Sequence, residues 1–327
     1  MTGTPPRTPS GPEDAGLGPE DAGLAPAARA AILAWFDDHG RALAFRGTRD
    51  PYAILVSEVM AQQTQISRVV AAWARFLDRF PTVFDLAASS PADVLRAWRG
   101  MGYDRRALNL RRAAQAIVAE HDGRIPRDLA DLERLPGVGP YTARAVASIA
   151  YGARVGAVDT NVRRVLGRSV GGREPADTTP AWIQSVADAS VDRDRPGDWT
   201  PALMDVGAML CRAHVSSCER CPVRAWCRSA ATSAATAPAA EHETPPAGAA
   251  SHRARSRALP FTATTRWLRG RIVDRLRDVD EAGWSTVAGP IGEHDPTAVR
   301  TALEALVRDG ILELDPADPA RVRLATA

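Results

Sequence analysis

Lysine is absent from the 327-residue chain, and all 41 of its basic side chains are arginine. No lysine side chain is therefore available to form a Schiff base with a substrate. The formal net charge at pH 7 is only +2, so composition alone gives little support for a polyanionic partner. These absences exclude lysine-based covalent catalysis and leave other chemistry open.

Long apolar runs are also missing. No stretch approaches the roughly 20 apolar residues of a membrane helix, and no charged-then-apolar leader indicates secretion. Hydrophobic residues make up 45% of the chain, which is enough for one large domain or two modest ones. We expect a soluble cytoplasmic protein without a membrane partner.

Composition divides the chain into four segments. GPEDAGL occurs twice in residues 11–24, inside a leader rich in proline and glycine, so residues 1–24 are predicted to be a disordered tail. Apolar residues at three- and four-residue spacing predict a helical domain over residues 25–228. Residues 229–260 are rich in alanine, proline and serine, which is typical of a linker. The chain is predicted to be mainly α.

The last segment, residues 261–327, shows a different pattern. "RWLRGRIVDRLRD" and "DPTAVRTALEALVRDG" predict two helices, the second with Asp295 as N-cap and Gly310 as C-cap. "ILEL" and "RVRLA" then predict a β-hairpin, and this order is typical of a small winged-helix-like domain. Such a domain could contact DNA or serve only as a scaffold or dimerisation module.

Arginines are concentrated in two stretches of the helical domain. We interpret both clusters as solvated helix faces. The first cluster comprises Arg96, Arg99, Arg105, Arg106, Arg111 and Arg112, and the second comprises Arg163, Arg164 and Arg168.

All four cysteines lie in "CRAHVSSCERCPVRAWC", with the spacing C-x6-C-x2-C-x5-C. They are Cys211, Cys218, Cys221 and Cys227. Disulfides are not expected in a cytoplasmic chain, so the four thiolates indicate a metal site. Zinc sites usually pair two C-x2-C hooks, and only one occurs here. The uneven spacing therefore favours a [4Fe–4S] cluster, with zinc as the alternative.

This spacing, preceded by "LMDVGAML", resembles the iron–sulfur loop of the endonuclease III superfamily of DNA glycosylases. Within that superfamily the MutY adenine glycosylases match best, from about Ala28 to Arg228. The resemblance implies a helix-hairpin-helix DNA glycosylase fold, with the [4Fe–4S] loop over residues 211–227. It also implies double-stranded DNA as the partner.

"LPGVGPYTARAV", residues 135–146, contains a short glycine turn. Gly137 and Gly139 permit positive φ and close backbone approach, so N–H groups and the next helix N-terminus can face a phosphate. The resemblance identifies this turn as the helix-hairpin-helix. It implies that Gly137, Val138 and Gly139 bind DNA.

"VDTNVRRV" places Asp159 just before a helix, where aspartate is commonly an N-cap. The resemblance implies that Asp159 is a catalytic carboxylate. Breaking an N-glycosidic bond builds positive charge on the sugar, which a carboxylate can stabilise. Asn161 matches an active-site asparagine of the family, although helix capping is the simpler role for it.

"SEVMAQQTQ" supplies Glu58, which matches the acid that neutralises the leaving base in MutY-like enzymes. Its helix is expected to bury Val59, Met60 and Ile66. A glutamate that is protonated near neutral pH needs an apolar, partly dry site that raises its pKa. Superfamily members that also cut the backbone carry a lysine where this chain has Tyr141. The tyrosine indicates base removal only, and it is expected to hydrogen-bond a catalytic carboxylate.

Two further segments match the base pocket and the opposite base. "GRALAFRGTRDPY" aligns Arg41 and Arg46 with pocket arginines, although it lacks the usual LPW of the family. Gln63 and Thr64 match residues that fill the gap left by a flipped base and contact the opposite base. A base inside a duplex must be extruded before it can be cleaved, so such residues are mechanically required.

"WRGMGYDRRALNL" resembles the GLGYY motif of the family. Tyr103 lies at the position that wedges into the base stack, next to Met101, which replaces leucine. Asp104 replaces the second tyrosine of the motif. The resemblance implies that Met101 and Tyr103 contact DNA.

The expected function is hydrolytic removal of adenine mispaired with 8-oxoguanine or guanine, by a monomer. One alternative is a thymine or uracil mismatch glycosylase of the same fold, which can also carry a tyrosine at the turn. Glu58 favours adenine, because pyrimidine release needs no acid at a purine nitrogen. Another alternative is a non-catalytic DNA-binding regulator, against which both carboxylates argue. The Nudix-like C-terminal domain of many MutY enzymes, with its Phe-Ser-His loop, is not found in the roughly 67 residues after the linker.

Overall fold

The structure is a computed structural model that describes residues 23–214, 216–235, 260–280 and 283–326. Residues 1–22 of the predicted tail and residues 236–259 of the predicted linker lie outside the described residues. The first residues of the predicted linker belong to a helix that spans Arg228–Ala235.

Helices dominate the described residues, which confirms the prediction of a mainly α chain. The helices are α1 (Pro26–His39), α2 (Pro51–Ala61), α3 (Ile66–Arg79), α4 (Val83–Ala88), α5 (Pro91–Ala97), α6 (Arg105–His121), α7 (Leu129–Arg134), α8 (Pro140–Tyr151), α9 (Thr160–Gly171), α10 (Pro180–Ala189), α11 (Pro196–Met209), α12 (Arg228–Ala235), α13 (Thr265–Arg277) and α14 (Pro296–Arg308). The strands are β1 (Ser285–Thr286), β2 (Leu312–Leu314) and β3 (Arg321–Leu324). None of the helices in this part of the chain has the length and hydropathy needed to span a bilayer.

Contacts divide the chain into two units. The first unit contains the described residues 23–40 and 154–235, and the second contains 41–153 and 260–326. The division differs from the predicted domain boundaries at 228 and 261, because the C-terminal elements pack on residues of the 41–153 segment.

The core of the first unit lies among α1, α9, α10 and α11. Its buried side chains include Ile32, Leu33, Leu166, Ile183, Trp199 and Leu203. Leu24 belongs to the same core, and its backbone N–H donates to the Ser190 hydroxyl at 3.0 Å. The predicted disordered tail therefore extended too far at Leu24, because the Leu24 side chain is buried and its backbone N–H has a hydrogen-bond partner.

In the second unit, α2 is the most buried helix, with side chains from Tyr52 to Ser57 inside the protein. Asp50 caps it by accepting from the backbone N–H groups of Tyr52 and Ala53. α3, α6 and α8 pack around it. An all-round apolar sequence explains this central place, because such a helix has no polar face to turn to water.

The C-terminal elements of the second unit are α13, α14 and an antiparallel sheet in the order β1-β3-β2. The predicted helices and hairpin are therefore present. Asp295 caps α14 by accepting from the Ala298 N–H at 2.8 Å, as predicted. The predicted C-cap was wrong by one residue, because Asp309 is the cap and Gly310 follows it with φ +70°.

The interpretation of both arginine clusters as solvated helix faces was wrong for most members. Arg111 donates from Nε to the Ser89 carbonyl at 2.6 Å, and burial lowers its pKa. Arg163 donates to the Thr178 carbonyl at 2.9 Å. Of the nine arginines in the two clusters, only Arg99, Arg105 and Arg112 are exposed. Arginine can bridge several backbone carbonyls at once, because its planar fork carries five donors.

One buried ion pair attaches α13 to the helices before it. Arg277 lies 2.5 Å from the Asp104 carboxylate, and their side chains are 3% and 10% exposed. Arg277 also donates to the Leu95 carbonyl at 2.9 Å. Burial raises the pKa of Asp104, and the charge of Arg277 opposes that rise. A pair in this environment is held together by the cost of leaving either charge buried alone.

Replacing Asp104 by alanine should leave the Arg277 guanidinium buried without its carboxylate. We expect the free energy of unfolding to fall by about 3–5 kcal/mol. Asp278→Ala is the matched control, because the Arg99–Asp278 pair is 52% and 70% exposed and should contribute at most about 1 kcal/mol. Equilibrium urea unfolding measures both variants. Equal, small losses would contradict the structural role of the buried pair.

Candidate active site

Glu58 and Tyr141 meet where α2 packs against α8. Glu58 is half-buried, and the residues before and after it in α2 are buried. The Tyr141 hydroxyl donates to Glu58 Oε2 at 3.0 Å. Tyr141 is the second residue of α8, so the residue that orients the glutamate follows the glycine turn directly.

The C-terminal end of α2 is fixed to the same helix. The Gln62 side-chain amide donates to the buried Thr142 hydroxyl at 3.1 Å. Val59 and Met60 are buried as expected, whereas Ile66 is only partly buried. Glu58 therefore projects from a rigid helix, which suits a group that must deliver a proton at one place.

The glycine turn combines a strained position with an open one. Gly137 has φ +80°, and a Cβ there would lie 2.8 Å from Asn109 Cβ. Gly139 caps α8, and a Cβ there would meet nothing within 4 Å. Val138 differs from the prediction, because its side chain is buried and its N–H donates to the Leu135 carbonyl at 3.1 Å. Its N–H is thus used inside the turn, whereas the exposed surface of the turn is formed by its glycine neighbours.

Asp159 is the N-cap of α9 in the first unit, and it is half-buried. Its Oδ1 accepts from the Val162 N–H at 2.7 Å, and its Oδ2 accepts from the Asn161 side-chain amide at 2.9 Å. Both oxygens of the carboxylate therefore have a fixed orientation. Capping explains the first bond, whereas the second orients the group further than capping requires.

Asn161 is itself held by Arg164, a residue that sequence reasoning missed. Arg164 Nη2 donates to Asn161 Oδ1 and to the Gly207 carbonyl, each at 2.8 Å. Its Nε donates to the Cys211 carbonyl at 2.5 Å. A network thus joins Asp159 to the first cysteine. The three-residue spacing of Asn161 and Arg164 on a predicted helix was the available signal.

The four cysteines carry free thiols, of which Cys218 is exposed and the others are half-buried. Burial, with repulsion from the other three thiols, raises the pKa of Cys221 to about 11. Arg168 Nη1 lies 3.6 Å from Cys211 Sγ. Thiols that feel one another electrostatically form a donor set that a cationic centre would stabilise.

Among the residues that the structure describes, no three His, Cys, Asp or Glu side chains converge as ligands of one metal ion. A single zinc ion requires such convergence, with Zn–S distances of about 2.3 Å. A [4Fe–4S] cluster takes its four thiolates on four separate irons, so its ligands are spread more widely. Cys211, Cys218, Cys221 and Cys227 remain the candidate ligands for either centre.

Half-buried Arg106 connects the two turns that were predicted to contact DNA, one at residues 62–64 and the other at residues 100–103. Arg106 donates to the Val59 carbonyl at 2.9 Å and to the Thr64 hydroxyl at 2.9 Å. It also donates to the Gly102 carbonyl at 3.2 Å. Burial lowers the pKa of Arg106. Gln63 lies at the tip of its turn, exposed and with φ +53°.

Sequence reasoning missed Arg106 because it counted the residue with surface arginines. A signal existed, since Arg106 is the second residue of α6. A cation is unfavourable at a helix N-terminus unless another interaction holds it there.

The second turn presents Tyr103 and hides Met101. Gly100, Gly102 and Tyr103 have φ values of +84°, +66° and +52°. Tyr103 is 36% exposed, so part of its ring is accessible to solvent. Met101 is 3% exposed, which corrects the expectation that its side chain lies at the DNA surface. Its apolar side chain fills the space beneath the turn instead.

The two arginines predicted for the base pocket, Arg41 and Arg46, are half-buried at the start of the second unit. Arg46 ends a 3₁₀ turn over Ala44–Arg46. Phe45 in that turn packs edge-on against Trp73, with ring centroids 6.2 Å apart. The segment that lacks the usual LPW is thus anchored by its own aromatic residue.

Comparisons with known proteins identify relatives of this chain. Residues 56–180 match the family described as HhH-GPD superfamily base excision DNA repair protein. Adenine DNA glycosylase of Mycolicibacterium smegmatis is 38% identical over 86% of this chain and 91% of that protein. This alignment must extend into the C-terminal elements, because residues 1–259 are less than four fifths of the chain. Human adenine DNA glycosylase is 39% identical over 62% of this chain and 39% of that protein.

Solved structures give the same fold. The structure of a thermostable thymine-DNA glycosylase is 26% identical with a TM-score of 0.59, covering 62% of this chain and 95% of that one. A trapped endonuclease III–DNA covalent intermediate matches with a TM-score of 0.54 at 24% identity, over 63% of this chain and 95% of that one. The predicted helix-hairpin-helix glycosylase fold is confirmed. The chain belongs to the adenine DNA glycosylases of the helix-hairpin-helix superfamily of base excision repair proteins.

Proposed function

We propose that this protein hydrolyses the N-glycosidic bond of adenine mispaired with 8-oxoguanine or guanine in double-stranded DNA. The observation that carries the proposal is the 3.0 Å hydrogen bond from Tyr141, next to the glycine turn, to Glu58. It couples a DNA-binding turn to an acid that only purine release requires. The enzyme acts as a monomer on nucleoid DNA in the cytoplasm.

In this mechanism Glu58 is the general acid. Its carboxylic acid gives a proton to a ring nitrogen of adenine, and the bond between the sugar C1′ and the base nitrogen breaks. The bonding electron pair leaves with adenine, which departs neutral. General acid catalysis of this kind contributes about 10²–10⁴-fold to a rate.

Asp159 stabilises the positive charge that bond breaking leaves on the sugar. Its carboxylate is oriented by Asn161 and by the N-terminus of α9. Water then attacks C1′, and its proton passes to the carboxylate that Glu58 has become. The cycle closes with an abasic sugar, free adenine and the acid restored.

The reaction ends at base removal. A Schiff-base route to strand cleavage needs a side-chain amine, and the chain has no lysine. Tyr141 occupies the position at which lyases of the superfamily carry that amine. Its phenol serves as a hydrogen-bond donor to Glu58 instead.

The DNA contacts proposed here come from backbone and side chains in the second unit. Gly137 and Gly139 let a phosphate approach the start of α8. Tyr103 enters the stack where the adenine leaves, and Gln63 with Thr64 contacts the opposite base. Arg41 and Arg46 line the pocket for the flipped adenine.

8-Oxoguanine is the preferred opposite base in this proposal. Gln63 and Thr64 can form local hydrogen bonds to the oxidised base, each contributing about 0.5–1.5 kcal/mol. The preference over guanine is therefore modest, about two- to tenfold for one such bond.

Cys211, Cys218, Cys221 and Cys227 hold a [4Fe–4S] cluster in this proposal. A bound cluster cross-links the loop through its four thiolates. The Arg164 bond to the Cys211 carbonyl then connects the ordered loop to Asn161.

Thymine removal from mismatches is a second candidate, favoured by the similarity to the thermostable thymine-DNA glycosylase. The greater identity to adenine DNA glycosylases over most of the chain favours adenine. Both activities are accessible to one assay.

The function is tested by single-turnover base release from a panel of duplexes. We expect adenine to be released opposite 8-oxoguanine fastest, then opposite guanine, with no release of thymine or uracil. Glu58→Gln should lower the adenine rate by about 10²-fold or more, because the proton donor is lost. Asp159→Asn should also lower it strongly.

Binding of the same duplexes to both variants is the control, and it should stay within about threefold of wild type. Release of thymine but not adenine would establish the second candidate and overturn the first. Wild-type rates in either variant would remove that residue from the mechanism.

The two glycines of the turn give a matched pair of variants. Gly137→Ala should cost about 1–2 kcal/mol of stability, because φ is positive and the methyl meets Asn109. Gly139→Ala should leave stability within about 0.5 kcal/mol. It should weaken DNA binding about tenfold, because the methyl fills the open approach to a phosphate. Thermal unfolding and DNA titration separate the two effects, and wild-type affinity of Gly139→Ala would contradict phosphate binding there.

The cluster is tested on anaerobically purified full-length protein. We expect iron and acid-labile sulfide in equal amounts and no stoichiometric zinc. Cys218→Ser should lower the iron content and weaken DNA binding, because the exposed thiol can be replaced without a packing change. Ser217→Ala is the matched control in the same turn. A colourless, zinc-loaded protein would contradict the cluster.

A further inference from the structure

Tyr103 lies close to two cations, Arg106, which is three residues away in the chain, and Arg266, which belongs to the C-terminal elements. The guanidinium carbon of Arg266, on α13, is 3.9 Å from the centroid of the tyrosine ring. That of Arg106, on α6, is 5.3 Å away. The closer contact is supplied by the C-terminal elements. A cation at this distance from an aromatic ring is attracted by the negative ring face.

The position of Arg266 is fixed by the start of α13. Thr264 caps this helix by accepting from the Trp267 N–H, and Arg266 lies in its first turn. The guanidinium carbon is also 5.6 Å from the ring of Phe261, which is 59% exposed. Arg266 thus lies near an aromatic residue of its own segment as well as the aromatic residue of the 100–103 turn.

The other end of α13 is attached to the very next residue of that turn. Arg277 forms the buried ion pair with Asp104. Arg266 and Arg277 are eleven residues apart, which is three helical turns, so both project from one face of α13. One face of α13 therefore contacts two adjacent residues, Tyr103 through Arg266 and Asp104 through Arg277. Asp104 stands where the related motif has a second tyrosine, so the departure from the motif coincides with the contact to α13.

Charge around Tyr103 favours a polyanion. Arg106 and Arg266 bring two positive charges to one ring, and Asp104 is already paired with Arg277. Within the described part of the chain, Arg266 makes no ion pair. A DNA phosphate beside the wedge would balance this excess.

We propose that α13 is a positioning element for the wedge, in which Arg266 holds the Tyr103 ring in the orientation that enters the base stack. Phe261, Arg266 and Tyr103 form one layered group on the DNA-facing side of the turn. The inference rests on the proposed function, because it takes Tyr103 as the wedge. It gives the C-terminal elements a role in base extrusion rather than in affinity alone.

The test uses the full-length protein and duplexes with 2-aminopurine beside an adenine–8-oxoguanine pair, whose fluorescence rises when the wedge unstacks the step. Arg266→Ala should reduce the rate of the fluorescence rise about two- to fivefold, the size expected for one cation–aromatic contact. Arg271→Ala is the matched control, because it removes the same charge from an exposed position on the same helix. It should leave the fluorescence rate unchanged while lowering affinity as much as Arg266→Ala does.

Tyr103→Ala identifies the route of the effect. If Arg266 acts through the ring, Arg266→Ala should have no further effect on the fluorescence rate in the Tyr103→Ala background. Arg266→Lys, which keeps a cation near the ring, should recover most of the wild-type rate. Equal effects of Arg266→Ala in both backgrounds, or equal effects of the Arg266 and Arg271 variants, would overturn the proposal.

Failure of the proposed function is distinguishable from failure of this inference. The fluorescence measurement reports unstacking and needs no bond cleavage. Unstacking that depends on Arg266, without adenine release, would overturn the proposed reaction and support the positioning role. Adenine release with unstacking independent of Arg266 would overturn the positioning role alone.

Discussion

The hydrogen bonds of the half-buried Arg106 guanidinium connect the end of α2 to two turns of the second unit. Carbonyls at the C-terminal end of a helix have no partner within the helix, and Arg106 satisfies those of Val59 and Met60. The same side chain binds Thr64 and the Gly102 carbonyl. Removing part of a charged group from water is costly unless hydrogen bonds compensate, and the two terminal nitrogens of Arg106 form these bonds. The end of α2 and the two proposed DNA-contacting turns therefore move as one body.

The two carboxylates of the proposed mechanism are oriented by different means. Glu58 is held by a phenol from the helix that begins at the glycine turn. Asp159 is held by the N-terminus of its own helix and by Asn161, which Arg164 fixes in turn. The first arrangement depends on how α2 packs on α8, whereas the second is largely local. Orientation by neighbours keeps each carboxylate in one geometry before substrate binds, which is the condition for electrostatic stabilisation without reorganisation.

Local signals allowed much of this to be predicted from the sequence. The cap at Asp295, the turn at Gly137 and the cysteine spacing all depend on residues close together in the chain. Burial of Met101 and Val138 could not be predicted in this way, because it depends on what packs over each turn. The roles of Arg106 and Arg164 were missed for the same reason, since each also donates to a backbone carbonyl 47 residues away. For Arg106 the available signal was a local conflict, a cation in the first turn of a helix.

Arg266 shows the same conflict as Arg106, and both arginines lie over the ring of Tyr103. Arg106 is the second residue of α6 and Arg266 is the second residue of α13, where the helix dipole disfavours a positive charge. Each is stabilised by contacts outside its helix, and each lies over the same ring. When a residue occupies a position that its helix disfavours, contacts elsewhere in the tertiary structure must compensate for the cost. The exposed tyrosine, with its left-handed backbone, is thus in contact with both arginines, and the aspartate that follows it forms an ion pair with Arg277 of α13. The C-terminal elements are in this way in contact with the turn that is proposed to enter the base stack.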